Sequence, residues 1–181
     1  MKVLVVVDMQ NDFITGSLGT PEAQAIVPNV KKKIDEAVAN GDIIFFTYDT
    51  HYDEYLDTKE GQKLPVKHCI HETEGWFLPA ELRVRGYKHC YRVSKHTFGC
   101  YNLPVMIEDC IRQVTDNPTE IELVGLCTDI CVVSNALLLK AYFYEKYDIS
   151  VDATCCAGVT PDSHEAALKT MEMCQINVKR G

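Results

Sequence analysis

The chain has 181 residues, of which 46% are hydrophobic and 24% are charged, and its formal net charge is −8. These values indicate one globular domain over residues 1–181, and the lack of a basic patch argues against nucleic acid as a partner. No apolar run approaches the roughly 20 residues of a membrane span, so no membrane partner is expected. The nine cysteines form no regular framework, which favours free thiols in a reducing cytoplasm.

The first third of the chain predicts two strands and a helix. "KVLVVVD" at 2–8 and "DIIFFTY" at 42–48 are continuous apolar runs, typical of strands that are covered on both faces. Between them, apolar residues recur every four positions from about Ala25, and Gly41 follows, which predicts a helix over that segment. The region from Asp49 to Pro79 has no clear periodicity, and a long irregular segment of this kind is usually functional.

The rest of the chain continues the alternation of strands and helices. "GYKHCYRV" at 86–93, "IELVG" at 121–125, "ISVDAT" at 149–154 and "QINVK" at 175–179 are the further predicted strands. Helical spacing is found at 103–114, from about Cys131 to Tyr144, and at 163–174. This alternation predicts an α/β fold in which a parallel sheet carries helices on both faces.

Three side chains follow predicted strands at the edge where open parallel sheets bind ligands: Asp8, Lys95 and Cys131. A cysteine at a helix N-terminus beside a lysine favours the thiolate, and a nearby carboxylate can accept the thiol proton. Thr128 and Asp129 are predicted to satisfy the open N–H groups where this helix starts. Each residue also has a simpler interpretation as a turn, solvated or core residue, so spacing alone leaves a reactive site and a purely structural role both open.

A second group lies in and around the irregular region. Asp49 and His51 follow the second predicted strand, and His68 and Glu60 lie further along the loop. Two imidazoles with one or two carboxylates suit zinc, iron or manganese. The same residues could instead form hydrogen bonds in a polar loop that binds no metal.

Five motifs occur along the chain in a fixed order. They are "VVVDMQNDF" at 5–13, "DTH" at 49–51, "HC" at 68–69 with T-x-G behind it, a lysine after the third strand, and "GLCTDICV" at 125–132. With these motifs the chain resembles the isochorismatase-like cysteine hydrolases, the superfamily that includes nicotinamidases and pyrazinamidases. Each motif alone is weak, but five in order cover essentially the whole chain. The resemblance implies a Rossmann-like three-layer α-β-α sandwich around a six-stranded, mainly parallel sheet.

The resemblance also implies roles for the residues of the first group. Cys131 would be the nucleophile of a triad with Asp8 and Lys95. A cis peptide bond would join Leu126 to Cys127, and the N–H groups of Cys127 and Cys131 would form an oxyanion hole. The presence of the cysteine points to the amidase branch of the superfamily.

For the second group, the resemblance implies a metal site. Asp49, His51 and His68 match the family's metal ligands, and the fourth ligand in the family is a His or a Glu of the intervening loop. Asp57 stands where the His is expected, so Glu60 is predicted instead. We expect a divalent metal, zinc first and iron or manganese as alternatives, and no organic cofactor. The metal would position a substrate ring rather than generate the nucleophile.

The implied activity is hydrolysis of a small carboxamide through a thioester, with nicotinamide giving nicotinate and ammonia as the first candidate. Phe13 resembles the family's ring contact, but Pro65 stands where many nicotinamidases have a tryptophan. A ureido or carbamoyl hydrolase of the same superfamily is therefore the alternative. The resemblance further implies a homo-oligomer. A distant alternative is a non-catalytic protein with thiol-bound zinc, whose ligands would be Cys127, Cys131, Cys155 and Cys156.

Overall fold

Six parallel strands form the centre of the computed structural model, which describes residues 1–114 and 118–181. The strands are β1 (Val3–Val7), β2 (Ile43–Asp49), β3 (Cys90–Lys95), β4 (Glu120–Leu126), β5 (Asp148–Ala157) and β6 (Asn177–Lys179). They lie in the order β3-β2-β1-β4-β5-β6, and each neighbouring pair runs parallel. Every residue of β1 and β2 is buried, because helices cover both faces of the central strands.

Helices cover the two faces of this sheet. They are α1 (Asn11–Ile14), α2 (Pro21–Asn40), α3 (Leu103–Ile111), α4 (Val133–Phe143) and α5 (Pro161–Met173). Alternate residues of β1 point to opposite faces: Leu4 belongs to the core cluster that contains the buried residues of α2, and Val5 to the cluster that contains most of those of α3, α4 and α5. The predicted three-layer α/β architecture is confirmed, and its sheet is parallel throughout. No helix in the described ranges is long and apolar enough to cross a membrane.

The helix α2 begins one turn earlier than its apolar periodicity indicates. The Thr20 hydroxyl accepts a hydrogen bond from the Ala23 N–H at 3.0 Å, and Pro21 occupies the first turn. Capping residues therefore set this start, whereas the apolar face that gave the prediction begins further along. Gly41 ends the helix with a φ of 75°, as predicted.

Other boundaries differ from the predicted ones for local reasons. A π-helical turn, Thr128–Val132, precedes α4, so the regular helix does not begin at Cys131. The strand β5 continues to Ala157, because Cys156 and Ala157 pair with the end of β4 after a register shift. Strand β3 begins only at Cys90, α3 ends at Ile111, and the short helix α1 was not predicted.

Buried and half-buried ion pairs occupy the amino half of β4 and its neighbours. Lys33 of α2 lies 2.7 Å from Asp152 and 3.4 Å from Glu122. Lys179 of β6 contacts Glu122 at 2.6 Å and also contacts Glu120. These pairs connect α2, β4, β5 and β6, and on β4 they lie at the end opposite Leu126.

Candidate active site

The predicted site residues come together at the carboxyl ends of the strands. Asp8 directly follows β1, Asp49 ends β2, Lys95 ends β3, and Leu126 ends β4. The sheet order changes direction between β1 and β4, and ligands of open parallel sheets bind beside such a switch point.

Asp8, Lys95 and Cys131 form one buried cluster. The Lys95 Nζ lies 2.7 Å from the Asp8 Oδ2 and 3.5 Å from the Cys131 Sγ. Asp8 has a φ of 47°, which aspartate tolerates, and its Oδ1 accepts a hydrogen bond from the Thr47 hydroxyl at 2.7 Å. Apart from the ion pair with Lys95, the Asp8 Oδ2 has no hydrogen-bond partner among the described residues, so it is available to accept a proton.

Burial and the neighbouring charges shift the pKa values of all three groups of this cluster. Burial raises the pKa of the Cys131 thiol well above its usual value, and Asp8 adds to the increase while Lys95 opposes it. Burial likewise raises the pKa of Asp8 against the effect of Lys95. Burial would lower the pKa of Lys95, but Asp8 and Cys131 outweigh it, and Lys95 stays protonated. Burial and Asp8 thus raise the pKa of the thiol by more than Lys95 lowers it, which is opposite in direction to the effect of Lys95 that the sequence predicts.

The peptide bond between Leu126 and Cys127 is cis, at the position that the resemblance implies. The Cys127 carbonyl accepts hydrogen bonds from the N–H groups of Ile130 and Val132, at 3.1 and 3.0 Å, which closes the turn that leads to Cys131. The N–H groups of Cys127 and Cys131, which are predicted to form the oxyanion hole, therefore belong to a hydrogen-bonded turn at the end of β4.

The prediction that Thr128 and Asp129 cap the start of α4 is wrong. The Thr128 hydroxyl pairs with His164 Nδ1 at 2.8 Å, and the Asp129 carboxylate accepts hydrogen bonds from the Val159 N–H at 3.0 Å and from the Ser163 hydroxyl. Both side chains connect the turn to the segment that opens α5, because that segment packs against the turn.

Asn135, which the sequence analysis missed, connects Cys131 to the loop after Lys95. It is fully buried, and its Nδ2 donates to the Cys131 carbonyl at 2.8 Å and to the Phe98 carbonyl at 3.1 Å. Its Oδ1 accepts from the Cys100 N–H at 2.9 Å. The Asn135 amide therefore fixes the position of Cys131 relative to the loop that follows Lys95.

Two polar residues of the first motif position the second group. The Gln10 amide accepts from the Asp49 N–H at 2.8 Å and donates to the Asp49 carbonyl at 2.9 Å. The Asp12 Oδ2 accepts from the Cys69 N–H at 2.7 Å, beside His68. Both residues stand in the motif "VVVDMQNDF", but the sequence could not show which backbone groups they bind.

The four predicted metal ligands converge. One ligand atom from each of Asp49, His51, Glu60 and His68 lies within 4.8 Å of the others. The His51 Nε2 is 3.0 Å from the Asp49 Oδ2, and the His68 Nε2 is 3.5 Å from the same oxygen. The His68 Nδ1 lies 2.8 Å from the Val66 carbonyl, which directs the Nε2 toward the group. Two imidazoles, two carboxylates and an oriented tautomer fit a divalent metal ion.

Asp49 lies between the metal-ligand group and the cluster of Asp8, Lys95 and Cys131, because its carboxylate faces both. Its Oδ2 lies among the histidines, while its Oδ1 is 3.4 Å from the Lys95 Nζ. Burial would raise the pKa of Asp49, but hydrogen bonds from His51 and His68, together with Lys95, hold it well below its usual range. The carboxylate is therefore ionised and able to serve as a ligand.

A cavity of about 530 Å³ opens onto both groups. Cys131, Cys127, Asp49 and His68 line it, and so does Phe13, whose ring centroid lies 5.5 Å from that of His68. Half of the fourteen remaining lining residues are apolar side chains: Leu18, Ala23, Leu64, Phe98, Leu126, Ile130 and Val159.

No tryptophan lines the cavity among the described residues, which agrees with Pro65 at the position where many nicotinamidases have one. Trp76 lies elsewhere and donates its indole N–H to the Thr50 hydroxyl at 2.9 Å. All nine cysteines are free in the described ranges, and the metal-ligand group found there contains none of them. The thiol-zinc interpretation therefore has no support in this part of the chain.

Comparison with known proteins identifies relatives over the whole chain. The Isochorismatase domain model matches residues 2–179. The nicotinamidase/pyrazinamidase of Mycobacterium tuberculosis is 27% identical over 98% of both chains. The crystal structure of nicotinamidase PncA from Bacillus subtilis superposes with a TM-score of 0.83 at 26% identity, covering 99% of this chain and 100% of that one. N-carbamoylsarcosine amidase from Thermoplasma acidophilum gives a TM-score of 0.78 at 27% identity, covering 99% and 96%.

The parallel α/β sheet and the fit to these relatives define an enzyme that hydrolyses amides of small molecules. The chain belongs to the isochorismatase family, whose domain model covers nearly all of it.

Proposed function

We propose that this protein hydrolyses nicotinamide to nicotinate and ammonia, with Cys131 as the nucleophile. The observation that carries the proposal is the joint lining of one cavity by Cys131, the metal-ligand group and Phe13. A planar ring amide would place its carboxamide at the thiol and its ring against Phe13. Relatives named as nicotinamidases support the same substrate.

The reaction begins with proton transfer from the Cys131 thiol to the Asp8 Oδ2. The thiolate sulfur attacks the carboxamide carbon, and the carbonyl electron pair moves to the oxygen, which accepts hydrogen bonds from the N–H groups of Cys127 and Cys131. Asp8 then gives its proton to the nitrogen as the C–N bond breaks, and ammonia leaves. Lys95 balances the negative charge that alternates between Asp8 and Cys131.

The second half of the reaction releases the acid. Asp8 takes a proton from water, the resulting hydroxide oxygen attacks the thioester carbon, and the C–S bond breaks. The sulfur recovers the proton from Asp8, and the carboxylic acid product departs and loses its proton to water. Asp49, His51, Glu60 and His68 would hold a divalent metal. A metal held there would supply a Lewis acid for a ring nitrogen and would so help these residues to position the ring.

A second candidate is hydrolysis of a ureido or carbamoyl compound. The similarity to N-carbamoylsarcosine amidase, at 27% identity, favours this alternative. The same triad could attack a carbamoyl carbon, so the two candidates differ in what the rest of the cavity recognises.

A panel of amides separates the two candidates. Nicotinamide and pyrazinamide have a ring nitrogen meta to the carboxamide carbon, whereas benzamide has the same scissile amide without that nitrogen. A site built around a polar partner strongly rejects an analogue that lacks it. We expect ammonia release from nicotinamide and pyrazinamide with a much higher kcat/KM than from benzamide. If all three are refused and N-carbamoylsarcosine is hydrolysed, the carbamoyl candidate replaces the first.

A further inference from the structure

The cavity is larger than a six-membered ring amide requires. A cavity of about 150 Å³ is sufficient to hold a benzene ring. The cavity above Cys131 has about 530 Å³, within the range of pockets that bind considerably larger ligands. The inner end, with Cys131, His68 and Phe13, accounts for the ring and the scissile amide. Space remains at the outer end.

Three half-exposed apolar side chains line the cavity, together with the exposed polar residues Lys59, Lys63, His96 and Thr97. Leu64, Phe98 and Val159 are 37%, 47% and 52% exposed, and all three line the cavity. They come from the loops that follow β2, β3 and β5, so three separate segments bring apolar groups to one opening. We refer to these three residues as the apolar collar.

Polar groups fix the backbone of each collar residue. The Tyr55 hydroxyl donates to the Leu64 carbonyl at 3.0 Å, and the Asn135 amide donates to the Phe98 carbonyl at 3.1 Å. The Val159 N–H donates to the Asp129 carboxylate at 3.0 Å. Tyr55 and Asn135 are fully buried, so two of these anchors belong to the core. A binding surface that is ordered in advance loses little conformational entropy when it takes a ligand.

We propose that the apolar collar binds an apolar substituent of the substrate, so that the preferred substrates are ring carboxamides with an alkyl group distal to the scissile bond. This inference rests on the proposed ring-amide function. Lys59 and Lys63 also line the cavity, and they could instead attract an anionic substituent. Their side chains are long and exposed, and their charged ends can remain in water while their stems add to the apolar wall.

Binding to a Cys131→Ala protein tests the collar without any dependence on turnover. The probes are nicotinamide, its 5-methyl, 5-ethyl and 5-propyl derivatives, and 5-carboxymethylnicotinamide, each titrated by calorimetry. We expect affinity to rise about fourfold for each methylene that the collar buries. A flat or falling alkyl series overturns the inference, and so does a larger gain for the carboxymethyl compound than for propyl.

A matched pair of variants in the same Cys131→Ala background locates the effect. Val159→Ser should remove most of the gain of the propyl compound over nicotinamide, whereas Val105→Ser should keep it. Val105 is 46% exposed on α3 and does not line the cavity, so it receives the same change at similar exposure. Equal effects of the two variants would contradict the collar.

Turnover by the unmodified protein separates this inference from the proposed function. If nicotinamide is cleaved but the alkyl series shows no gain in affinity, only the collar is wrong. If no ring amide is cleaved while the alkyl gain and its loss in Val159→Ser are both observed, the collar stands and the nicotinamide proposal fails.

Discussion

Cys127 and Cys131 are four residues apart but have different surroundings. Cys131 is 3.5 Å from the Lys95 Nζ, which can stabilise a thiolate formed during the reaction. Cys127 is packed against the core cluster on the α2 face of the sheet. Burial raises its pKa to about 12, with a further contribution from Asp129. Cys127 therefore stays protonated at neutral pH.

We expect Cys131→Ala to abolish ammonia release and Cys127→Ala to retain most of it. The first change removes the proposed nucleophile, while the second leaves the backbone N–H in place. Ammonia release from nicotinamide measures activity, and circular dichroism shows whether both variants are folded. Equal losses in two folded variants would show that the two roles are assigned incorrectly.

Lys95 compensates the charge of two buried carboxylates, Asp8 at 2.7 Å and Asp49 at 3.4 Å. Lys95→Met keeps much of the side-chain volume but leaves both carboxylates without their cation. Breaking a buried pair in this way costs roughly 3–5 kcal/mol of unfolding free energy. We expect a lower Tm and a loss of several orders of magnitude in kcat.

The double variant Lys95→Met/Asp8→Asn separates stability from activity. It removes one of the two uncompensated charges, so its Tm should recover part of the loss while its activity should not return. Thermal melts and ammonia release measure the two effects. Near-normal turnover in Lys95→Met would exclude Lys95 from the reactive cluster.

Several site residues could be predicted from sequence because they directly follow apolar strands. Asp8 and Asp49 stand where β1 and β2 end, and parallel strands place those ends at one edge. The backbone partners of Gln10 and Asn135 could be recognised only in the fold. Gln10 binds Asp49, 39 positions away, and Asn135 binds the Phe98 carbonyl 37 positions away, so both act on backbone groups that no local pattern identifies.

At the level of elements, strands were easier to predict than helix starts. Continuous apolar runs identified β1, β2 and β4 within one residue of their bounds, because these strands are buried on both faces. Helix starts depend on caps and neighbouring segments. The helix α5 begins at Pro161 behind a capping box formed by Thr160 and Ser163, whereas the periodic signal began at Ser163.

The helix α4 offers a test of how one amide holds several segments. Asn135→Ala removes partners from the Cys131 and Phe98 carbonyls and from the Cys100 N–H. Each buried polar group left unsatisfied costs about 1–3 kcal/mol. We therefore expect a large fall in Tm together with a lower kcat.

Asn29→Ala is the matched control for this change. Its amide is exposed and donates to the Thr154 carbonyl at 2.8 Å, so its loss should change unfolding free energy by no more than about 0.5 kcal/mol. Chemical denaturation of both variants measures the difference. Similar unfolding free energies for the two variants would show that Asn135 does not connect α4 to the loop that follows Lys95.

For the whole molecule, the alternation of elements was sufficient to predict the layers and the edge that carries the site. The alternation could not predict how the irregular loop brings Glu60 and His68 back to Asp49. That arrangement depends on contacts such as the packing of Tyr55 against His51 and His68. The homo-oligomer and the cytoplasmic location remain predictions from the sequence.

The metal group predicts a change in both metal content and substrate affinity. We expect His68→Ala to lower bound transition metal and to raise KM, because it removes one imidazole from a four-residue group. His71→Ala is the control, since His71 is exposed and lies outside that group. Elemental mass spectrometry and steady-state kinetics measure the two effects. A purified protein without transition metal, whose activity neither chelators nor added zinc alter, would contradict the metal assignment.

The ion pairs at the amino half of β4 make the stability of the fold sensitive to acid. This sensitivity is independent of the reactive groups in the cavity. Burial alone would raise the pKa of Glu120, but hydrogen bonds from Lys179, Lys2 and Ser150 lower it from 4.5 to about 2. The unfolded chain therefore binds this proton more tightly than the folded one. Glu120 stabilises the fold above its ordinary pKa, and this contribution is lost as the pH falls toward the folded value.

Glu120→Gln should consequently lower Tm at pH 7 and flatten the fall of Tm between about pH 5 and pH 2. Ammonia release at pH 7 should stay unchanged, because Glu120 begins β4 while the reactive groups follow the carboxyl ends of the strands. Thermal melts across this pH range measure the effect, and an unaltered acid profile would contradict it. Acid would then weaken the ion pairs at the amino end of β4, opposite the end that carries the cavity. Tolerance to low pH could therefore be engineered at these pairs without changing the residues that select the amide.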